Sequence, residues 1–301
     1  MAVTTLVSDI RSIVPWRLRQ FVDRAFGEVK NATWRTLRRI NIAPASKVDL
    51  QRAWPIPRPT ICDAKENAFR SLFRLSEYKS EAMQEITRSL QCCADATGTT
   101  LDRSKRWEIP VMLVGSGIHK SSVCLDVGCG SSCLPVWLDG MGCEVYAIDP
   151  EMQAVSNEWS LPTSRIHVNG NFINYLRRSM THLPFRDDMF DHVFCVSVIE
   201  HLPPEQISAG LKEMIRVTKP GGTLGISTDV YPASEGSISK SHAHVFNLTE
   251  LRREILDHLS EMQPVSSINL SIEEGLDRHL ADLQATFNAR HSFFSAVWRK
   301  P

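Results

Sequence analysis

An acid and two glycines near the middle of the chain have the types and spacing of a ligand-binding turn. Asp126 lies in the apolar run Val123–Val127, and Gly128 and Gly130 follow that run directly. An apolar run closed by glycines is typical of a buried strand that enters a tight turn, where backbone N–H groups approach a ligand. A carboxylate just before such a turn attracts an ammonium group and repels a pyrophosphate. The pattern therefore favours a cofactor that carries an amino acid.

A dinucleotide site is the alternative for a glycine-rich turn. That site uses a third glycine, in the order Gly-x-Gly-x-x-Gly, so that the helix packs closely on the strand. This chain has Cys133 in that place and Asp126 ahead of the turn, which together disfavour a dehydrogenase. Ser131 and Ser132 can cap the helix that follows, and Pro135 suits its first turn.

A second acid stands where a nucleoside would need it. The run Glu144–Ile148 predicts a second strand, which leads into Asp149 and Pro150. In nucleoside-binding α/β folds, an acid about 20 residues beyond the glycine turn accepts hydrogen bonds from the ribose hydroxyls. Asp149 therefore indicates a binding site for a ribose.

These two motifs and the ones that follow resemble the class I S-adenosylmethionine-dependent methyltransferases of the small-molecule and glycan type. The matching segments are 125–130, 147–149, 183–185, 190–191, 198–202, 211–217 and 219–222, in the family's usual order within residues 105–301. The resemblance implies a Rossmann-like α/β fold with a seven-stranded, mostly parallel sheet of order 3-2-1-4-5-7-6, its last strand antiparallel, and helices on both faces. It also implies methyl transfer, with S-adenosyl-L-methionine as cofactor and S-adenosyl-L-homocysteine as product.

The resemblance further implies where the cofactor binds. Asp126 would hold the ammonium group, the backbone of the glycine turn the methionine portion, and Asp149 the ribose. The full set of implied cofactor-binding residues is Asp126, Gly128, Cys129, Gly130, Asp149, Pro150, Met180, Leu183 and Ser197. A structural role as a turn cap at the end of a strand is the alternative for each of the two acids.

The adenine pocket departs from the family pattern. Family members often carry an Asp and then a small residue, beginning four positions before the leucine that is Leu183 here, whereas this chain has Ser179 and Met180. Ser179 can still accept a hydrogen bond from the adenine amino group, and Met180 can cover the ring. Many family members have a third glycine at the position of Ser132, in the order Gly-x-Gly-x-Gly. The Gly-x-Gly-x-Ser variant of this chain occurs in polysaccharide-type members.

Two side chains are candidates for the acceptor side of the reaction. A methyl group on a sulfonium already has an excellent leaving group, so alignment and water exclusion can supply most of the catalysis. A hydroxyl acceptor must in addition lose its proton. His201 follows the predicted fourth strand and is a candidate general base, and Asp229 ends the fifth and can polarise a hydroxyl or orient a sugar. A purely structural hydrogen bond to the neighbouring loop is the alternative for both.

The composition describes a globular protein without net charge. Hydrophobic residues make up 43% of the 301 residues and the formal net charge is zero, which does not favour nucleic acid as a partner. The eight cysteines are scattered, so we expect no disulfide framework and a location in a reducing cytoplasm. His242 and His244 lack a third ligand with suitable spacing, so we expect no metal site. No apolar run reaches the length of about 18 residues that predicts a membrane span.

Charge and proline content divide the chain into three predicted segments. Residues 1–60 form a basic amphipathic extension with eleven Lys or Arg and four Asp or Glu. A helical arm that packs on the core is the favoured interpretation of this extension, and peripheral contact with the inner face of an anionic membrane is the alternative. Residues 61–118 form a helical lid or substrate segment, and residues 119–301 form the cofactor-binding domain.

Apolar periodicity predicts the remaining elements. We expect strands at 165–168, 191–196, 222–228, 266–272 and 292–298, and helices at 64–94, 102–117, 204–218, 248–259 and 275–287. The favoured function is O-methylation of a hydroxyl on a sugar, a polysaccharide precursor or a similar small molecule. A nucleic-acid methyltransferase and a non-catalytic cofactor-binding partner protein are the alternatives.

Overall fold

The computed structural model describes residues 71–97, 99–150, 163–168, 171–234, 238–239, 243–272 and 275–301. The predicted basic extension and its membrane contact lie outside these residues, as does His242. Throughout the described ranges, no helix is both long enough and apolar enough to cross a membrane. The division between residues 61–118 and 119–301 stays a prediction.

A mostly parallel β-sheet forms the centre of the described part. Its strands are β1 (Val123–Val127), β2 (Glu144–Ile148), β3 (Thr163–Val168), β4 (Asn171–Leu176), β5 (Phe190–Val196), β6 (Thr218–Tyr231), β7 (Ile238–Ser239), β8 (His244–Asn247), β9 (Gln263–Pro264) and β10 (Ser292–Arg299). The order across the sheet is β3-β4-β2-β1-β5-β6-β10-β9, and β8 pairs with both β6 and β7. The run from β4 to β6 is parallel, and β10 is antiparallel to β6.

Helices cover both faces of this sheet. They are α1 (Leu75–Tyr78), α2 (Glu81–Thr97), α3 (Lys105–Ser116), α4 (Leu134–Gly140), α5 (Pro204–Val217), α6 (Leu248–Leu251) and α7 (Leu276–Phe287). On β1, Leu125 belongs to one buried cluster with Leu211 of α5, whereas Cys124 belongs to a second cluster with residues of α2, α3 and α4. Because side chains alternate along a strand, Asp126 lies on the same face as Cys124.

The predicted Rossmann-like sheet is confirmed in its central part. The predicted order 3-2-1-4-5-7-6 corresponds to β4-β2-β1-β5-β6-β10-β9, with the last long strand antiparallel as expected. The predicted helices 102–117, 204–218 and 275–287 correspond to α3, α5 and α7. The predicted helix 248–259 begins as α6 and continues as a π turn, Arg252–Leu256, and a 3-10 turn, Asp257–Leu259.

Two strand predictions are wrong. The third parallel strand is β4, which pairs with β2, whereas the predicted segment 165–168 lies in β3, an outer strand antiparallel to β4. Residues 266–272 form no strand, and β9 takes the place beside β10. The alternating Ile268, Leu270 and Ile272 pack part-buried against the core, so their period of two reflects one-sided packing without a hydrogen-bonded ladder.

Helix α3 precedes β1, the strand that ends in the glycine turn. It contains Pro110, which has no N–H to donate to the carbonyl of Arg106 four residues earlier. The Thr87 hydroxyl of α2 lies 2.9 Å from that carbonyl oxygen and 2.8 Å from that of Met83, so its single proton can serve either one. Gly117 ends the helix with a left-handed φ of 69°.

Asp139 in α4 gives the fold a testable pH dependence. Its side chain is 2% exposed, neither carboxylate oxygen has a hydrogen-bond partner among the described residues, and burial raises its pKa to about 7. At pH values between the ordinary aspartate pKa and about 7, Asp139 is therefore protonated in the folded state and ionised in the unfolded state. Stability from this group is fully present below the unfolded pKa and is lost as pH rises through the folded pKa.

We expect Asp139→Asn, which removes the charge and keeps the shape, to stabilise the protein by about 1–3 kcal/mol at pH 8 and by much less at pH 5. Urea unfolding at the two pH values measures the difference. Asp95→Asn, at an exposed position of α2, is the control and should change stability little at either pH. An equal gain from Asp139→Asn at both pH values would contradict the argument.

Candidate active site

The glycine turn joins β1 to α4 and is held by β2. The N–H groups of Gly128 and Cys129 both donate to the carbonyl of Ile148, at 2.7 and 3.0 Å. Gly128 has a φ of 73° and Gly130 a φ of 48°, in the left-handed region that glycine tolerates best. A Cβ on Gly128 would overlap Val198 Cγ2 in the loop after β5. The turn therefore requires glycine for both its conformation and its packing.

Asp149 lies against the same turn. Its Oδ2 accepts a hydrogen bond from the N–H of Gly130 at 3.0 Å, which joins the end of β2 to the turn after β1. Pro150, the next residue, is exposed, and its carbonyl accepts a hydrogen bond from Arg177 Nε at 3.0 Å. The structure thus brings the two predicted ligand-binding motifs together at the carboxyl ends of adjacent parallel strands.

Asp126 is a buried carboxyl at this turn. It is 2% exposed, and its Oδ2 has no hydrogen-bond partner among the described residues. Burial raises its pKa to about 7, an effect that Lys105 opposes and Asp149 adds to. A buried oxygen without a donor is costly unless a ligand supplies one. An ammonium group suits this position because it would supply both a donor and a compensating charge.

A cleft of about 470 Å³ opens at the same edge of the sheet. Ser197 after β5, Asp229 at the end of β6 and residues 102–105 at the start of α3 line it. Ser197 is adjacent in sequence to Val198, which packs against Gly128, so the cleft and the glycine turn are neighbours. Carboxyl ends of parallel strands near a reversal of strand order are where open α/β sheets bind ligands.

The cleft brings together both predicted catalytic residues and a histidine that the sequence analysis missed. Asp229 Oδ1 lies 3.2 Å from Nε2 of His291, and each residue is 8% exposed. His201 lies at the exposed rim, with its backbone N–H bonded to the carbonyl of Val198. His291 precedes β10 outside every motif, and only the antiparallel pairing of β10 with β6 places it beside Asp229.

Glu200 adds a second buried acid to the cleft wall. Its Oε2 accepts a hydrogen bond from the Thr228 hydroxyl at 3.1 Å. Burial, followed by the charge of Asp229, raises the pKa of Glu200 well above its usual range. The wall therefore contains a carboxyl that favours its neutral, proton-donating form beside the Asp229 and His291 pair.

The other predicted cofactor-binding residues follow β4. Met180 is 5% exposed, and its Cε fills the position that a Cβ on Gly210 of α5 would take. Leu183 is buried, and its N–H donates to Glu213 Oε2 at 2.7 Å. The Ser179 hydroxyl is exposed and lies 3.0 Å from that of Thr181. Contact of these residues with adenine stays a prediction.

His244, which with His242 forms the His-x-His pair of the sequence, contacts an acid. Its Nε2 lies 3.0 Å from Oε2 of Glu250, and its ring packs edge-on against Phe246. Within the described ranges, no group of three His, Cys, Asp or Glu side chains is placed to hold a metal ion.

Comparison with known proteins agrees with this geometry. Residues 125–226 match the family model described as a methyltransferase domain. Over this third of the chain, the sequence is similar to the S-adenosylmethionine-dependent methyltransferases. The methyltransferase match begins in β1 and ends in β6, so it contains the glycine turn, Asp149 and Glu200 but ends before Asp229 and His291.

Two curated methyltransferases illustrate the similarity. The chain is 30% identical over 146 residues to the ubiquinone biosynthesis O-methyltransferase of Rickettsia conorii, which is 48% of each chain. It is 28% identical over 143 residues to the sterol 24-C-methyltransferase of Schizosaccharomyces pombe, which is 44% of this chain and 34% of that protein. The chain thus matches about half the length, or less, of these relatives.

A solved S-adenosylmethionine-dependent methyltransferase from Mesorhizobium loti has a TM-score of 0.45 and 14% identity to this chain, over 64% of this chain and 97% of that one. The cofactor of this methyltransferase class is S-adenosylmethionine. The residues present fit it, because the unpartnered oxygen of Asp126 lies at the turn where the methionine ammonium group would bind.

Proposed function

We propose that this methyltransferase transfers a methyl group from S-adenosylmethionine to a hydroxyl of a small-molecule acceptor, with a sugar or polysaccharide precursor as the favoured acceptor. The observation that carries the proposal is the cleft beside the glycine turn, which combines Asp229, His291 and Glu200 at the carboxyl ends of β5 and β6. When bound, the cofactor supplies a methyl group on a sulfonium sulfur.

The residues of the chain bind and orient the two reactants. Asp126 would hold the ammonium group of the cofactor, and Asp149 would accept hydrogen bonds from its ribose while it fixes Gly130. Because the leaving group is already activated, alignment of the acceptor with the methyl group supplies much of the rate. That alignment falls to the side chains that line the cleft.

The composition of the cleft supports a polyhydroxylated acceptor. Carboxylates accept hydrogen bonds from hydroxyl groups, and a neutral Glu200 can also donate one. Phe287 and Phe293 form an apolar part of the wall, with ring centroids 5.4 Å apart. A sugar ring presents hydroxyls at its edge and C–H groups on its faces, so it can use both kinds of surface.

Titration calorimetry with S-adenosylhomocysteine tests the proposal at the level of the cofactor. We expect the wild type to bind and Asp149→Ala to bind about 10–100-fold more weakly, because it loses charge-assisted hydrogen bonds to the ribose. Asp187→Ala is the matched control, since Asp187 precedes β5 at the opposite edge of the sheet and pairs with Arg216.

Methyl transfer from a labelled cofactor to sugar and phenol acceptors then tests the acceptor class. Transfer to a sugar hydroxyl supports the favoured acceptor, and transfer only to phenols replaces it with an aromatic one. Absence of S-adenosylhomocysteine binding in the wild type would refute the proposed function, and binding without transfer to any acceptor would favour the non-catalytic partner protein.

A further inference from the structure

Glu108 is a completely buried acid that the proposed reaction has so far not used. It lies in α3, is 0% exposed, and precedes the segment that matches the methyltransferase family. Its Oε2 accepts a hydrogen bond from the Ser197 hydroxyl at 2.7 Å, and the Ser227 hydroxyl also interacts with the carboxyl. A completely buried carboxyl is costly to fold, which calls for a functional explanation.

Ser197 lies between the cofactor turn and the acceptor cleft. Val127 pairs with Cys195 across β1 and β5, and Val198, next to Ser197, packs against Gly128 of the glycine turn. The same serine lines the cleft. Its hydroxyl is therefore placed near both the methionine end of a bound cofactor and an acceptor in the cleft.

The backbone at Ser197 is held in an unusual conformation. Its φ is 52°, in the left-handed region that non-glycine residues seldom adopt. Its N–H lies 3.2 Å from the Ser227 hydroxyl and 3.3 Å from the Ser227 carbonyl oxygen in β6. Such strained residues cluster at active sites, where neighbouring structure fixes them for a purpose.

Resting on the proposed function, we propose that Ser197 and Glu108 form a proton relay for the acceptor hydroxyl, in which Ser197 is the catalytic residue that touches the acceptor and Glu108 acts through it. The acceptor proton passes to Ser197 Oγ as the serine proton passes to the Glu108 carboxylate. The electron pair left on the acceptor oxygen forms the new bond to the methyl carbon, and the pair of the broken S–C bond stays on sulfur.

The electrostatics of Glu108 suit this role. Burial raises its pKa to about 7. The hydrogen bonds from Ser197 and Ser227 oppose the shift, and the charge of Asp229 adds to it. The charged or titratable groups that influence it are Lys105 on its own helix, Asp229 at the end of β6 and Glu200 after β5. A base acts best when its pKa is near the working pH. Because Glu108 must be ionised to accept the proton, the rate should rise with pH through about 7.

Single and double variants test the relay. Glu108→Gln keeps the size of the side chain and cannot take the proton, and Ser197→Ala removes the intermediate hydroxyl. We expect each to lower kcat about 100-fold, and the double variant to be no slower than the slower single one, because both remove the same proton path. Ser295→Ala is the matched control, since its hydroxyl bonds the backbone carbonyl of Glu108 outside the relay, and it should retain kcat within about threefold.

Two further measurements separate catalysis from structure. In the pH profile of kcat, the rise through about 7 should be present in the wild type and absent in Glu108→Gln. In cofactor-free protein, the stability of the wild type relative to Glu108→Gln should fall as pH rises from the ordinary glutamate pKa to about 7, because the folded state holds the proton over that interval. S-adenosylhomocysteine should bind Glu108→Gln and the wild type about equally.

The outcomes distinguish failure of the proposed function from failure of the relay alone. A wild type that fails to bind S-adenosylhomocysteine overturns both the proposed function and the relay. Wild-type turnover with an undiminished Glu108→Gln, or with single effects that multiply in the double variant, overturns the relay alone. A large loss of S-adenosylhomocysteine affinity in Glu108→Gln would also overturn it, because Glu108 would then support the cofactor site.

Discussion

Gly128→Ala is expected to abolish S-adenosylhomocysteine binding and to lower the free energy of unfolding by about 2–4 kcal/mol. A new Cβ would overlap Val198 Cγ2 and lie 2.8 Å from Cγ1 and 3.2 Å from Cβ of the same residue. The φ of 73° adds strain for any side chain. Relief of either effect requires the turn to move, and the turn carries the backbone groups expected to approach the cofactor.

Two further variants separate the clash from the strain. Gly221→Ala has a similar φ of 77° with nothing within 4 Å of the new Cβ, so it should lose only about 1–2 kcal/mol and should bind the cofactor product normally. Val198→Ala in the Gly128→Ala background removes the overlapping methyl groups and should recover part of the stability. Normal S-adenosylhomocysteine binding by Gly128→Ala would show that this turn is not the cofactor site.

The central strands of the fold were predictable because each is a short apolar run that leads into a distinctive turn. β1 and β5 are mostly buried, and apart from Asp126 in β1 and Asp191 and His192 in β5 their residues are apolar and easy to recognise. The ends of β1 and β2 carry the cofactor motifs, which explains why the sequence also identified Asp126 and Asp149. The order of the strands came from the family resemblance, since no local pattern encodes which strands are neighbours.

The outer strands were less predictable because their pairing depends on tertiary contacts. The segments at β3 and β4 are both plausible strands, and only the pairing of β4 with Tyr146, Ala147 and Ile148 of β2 decides which one joins the parallel sheet. The alternating segment 266–272 packs one apolar side against the core without a partner strand. Hydrophobic periodicity reports burial, and it does not report hydrogen bonding.

The candidate site shows the same limit of sequence reasoning. Asp229 ends a recognisable strand, whereas His291 becomes its neighbour only because the last strand returns antiparallel to β6. Ser197 and Glu108 are 89 residues apart in the chain, and their contact depends on α3 packing over the end of β5. Residues brought together by long-range packing carry no joint motif, so only the structure could pair them.

Asp229→Ala is expected to lower kcat/KM about 1,000-fold while S-adenosylhomocysteine binding is retained. Asp229 is 8% exposed and lies 3.2 Å from Nε2 of His291. Removal of one preorganised polar group that acts on the transition state typically costs about 100–1,000-fold in rate, which is about 3–4 kcal/mol of barrier. The loss should appear at the acceptor step, because Asp229 lines the cleft and the cofactor turn lies on β1 and β2.

Asp229→Asn is the matched variant, since it keeps the shape of the side chain and removes only the charge. The charge of Asp229 is one cause of the raised pKa of Glu108. The pKa of Glu108 should therefore fall in Asp229→Asn, and the rise of kcat with pH should move to lower pH than in the wild type. A pH profile that stays in place would contradict this coupling between the two acids, and undiminished turnover in Asp229→Ala would remove Asp229 from the acceptor site altogether.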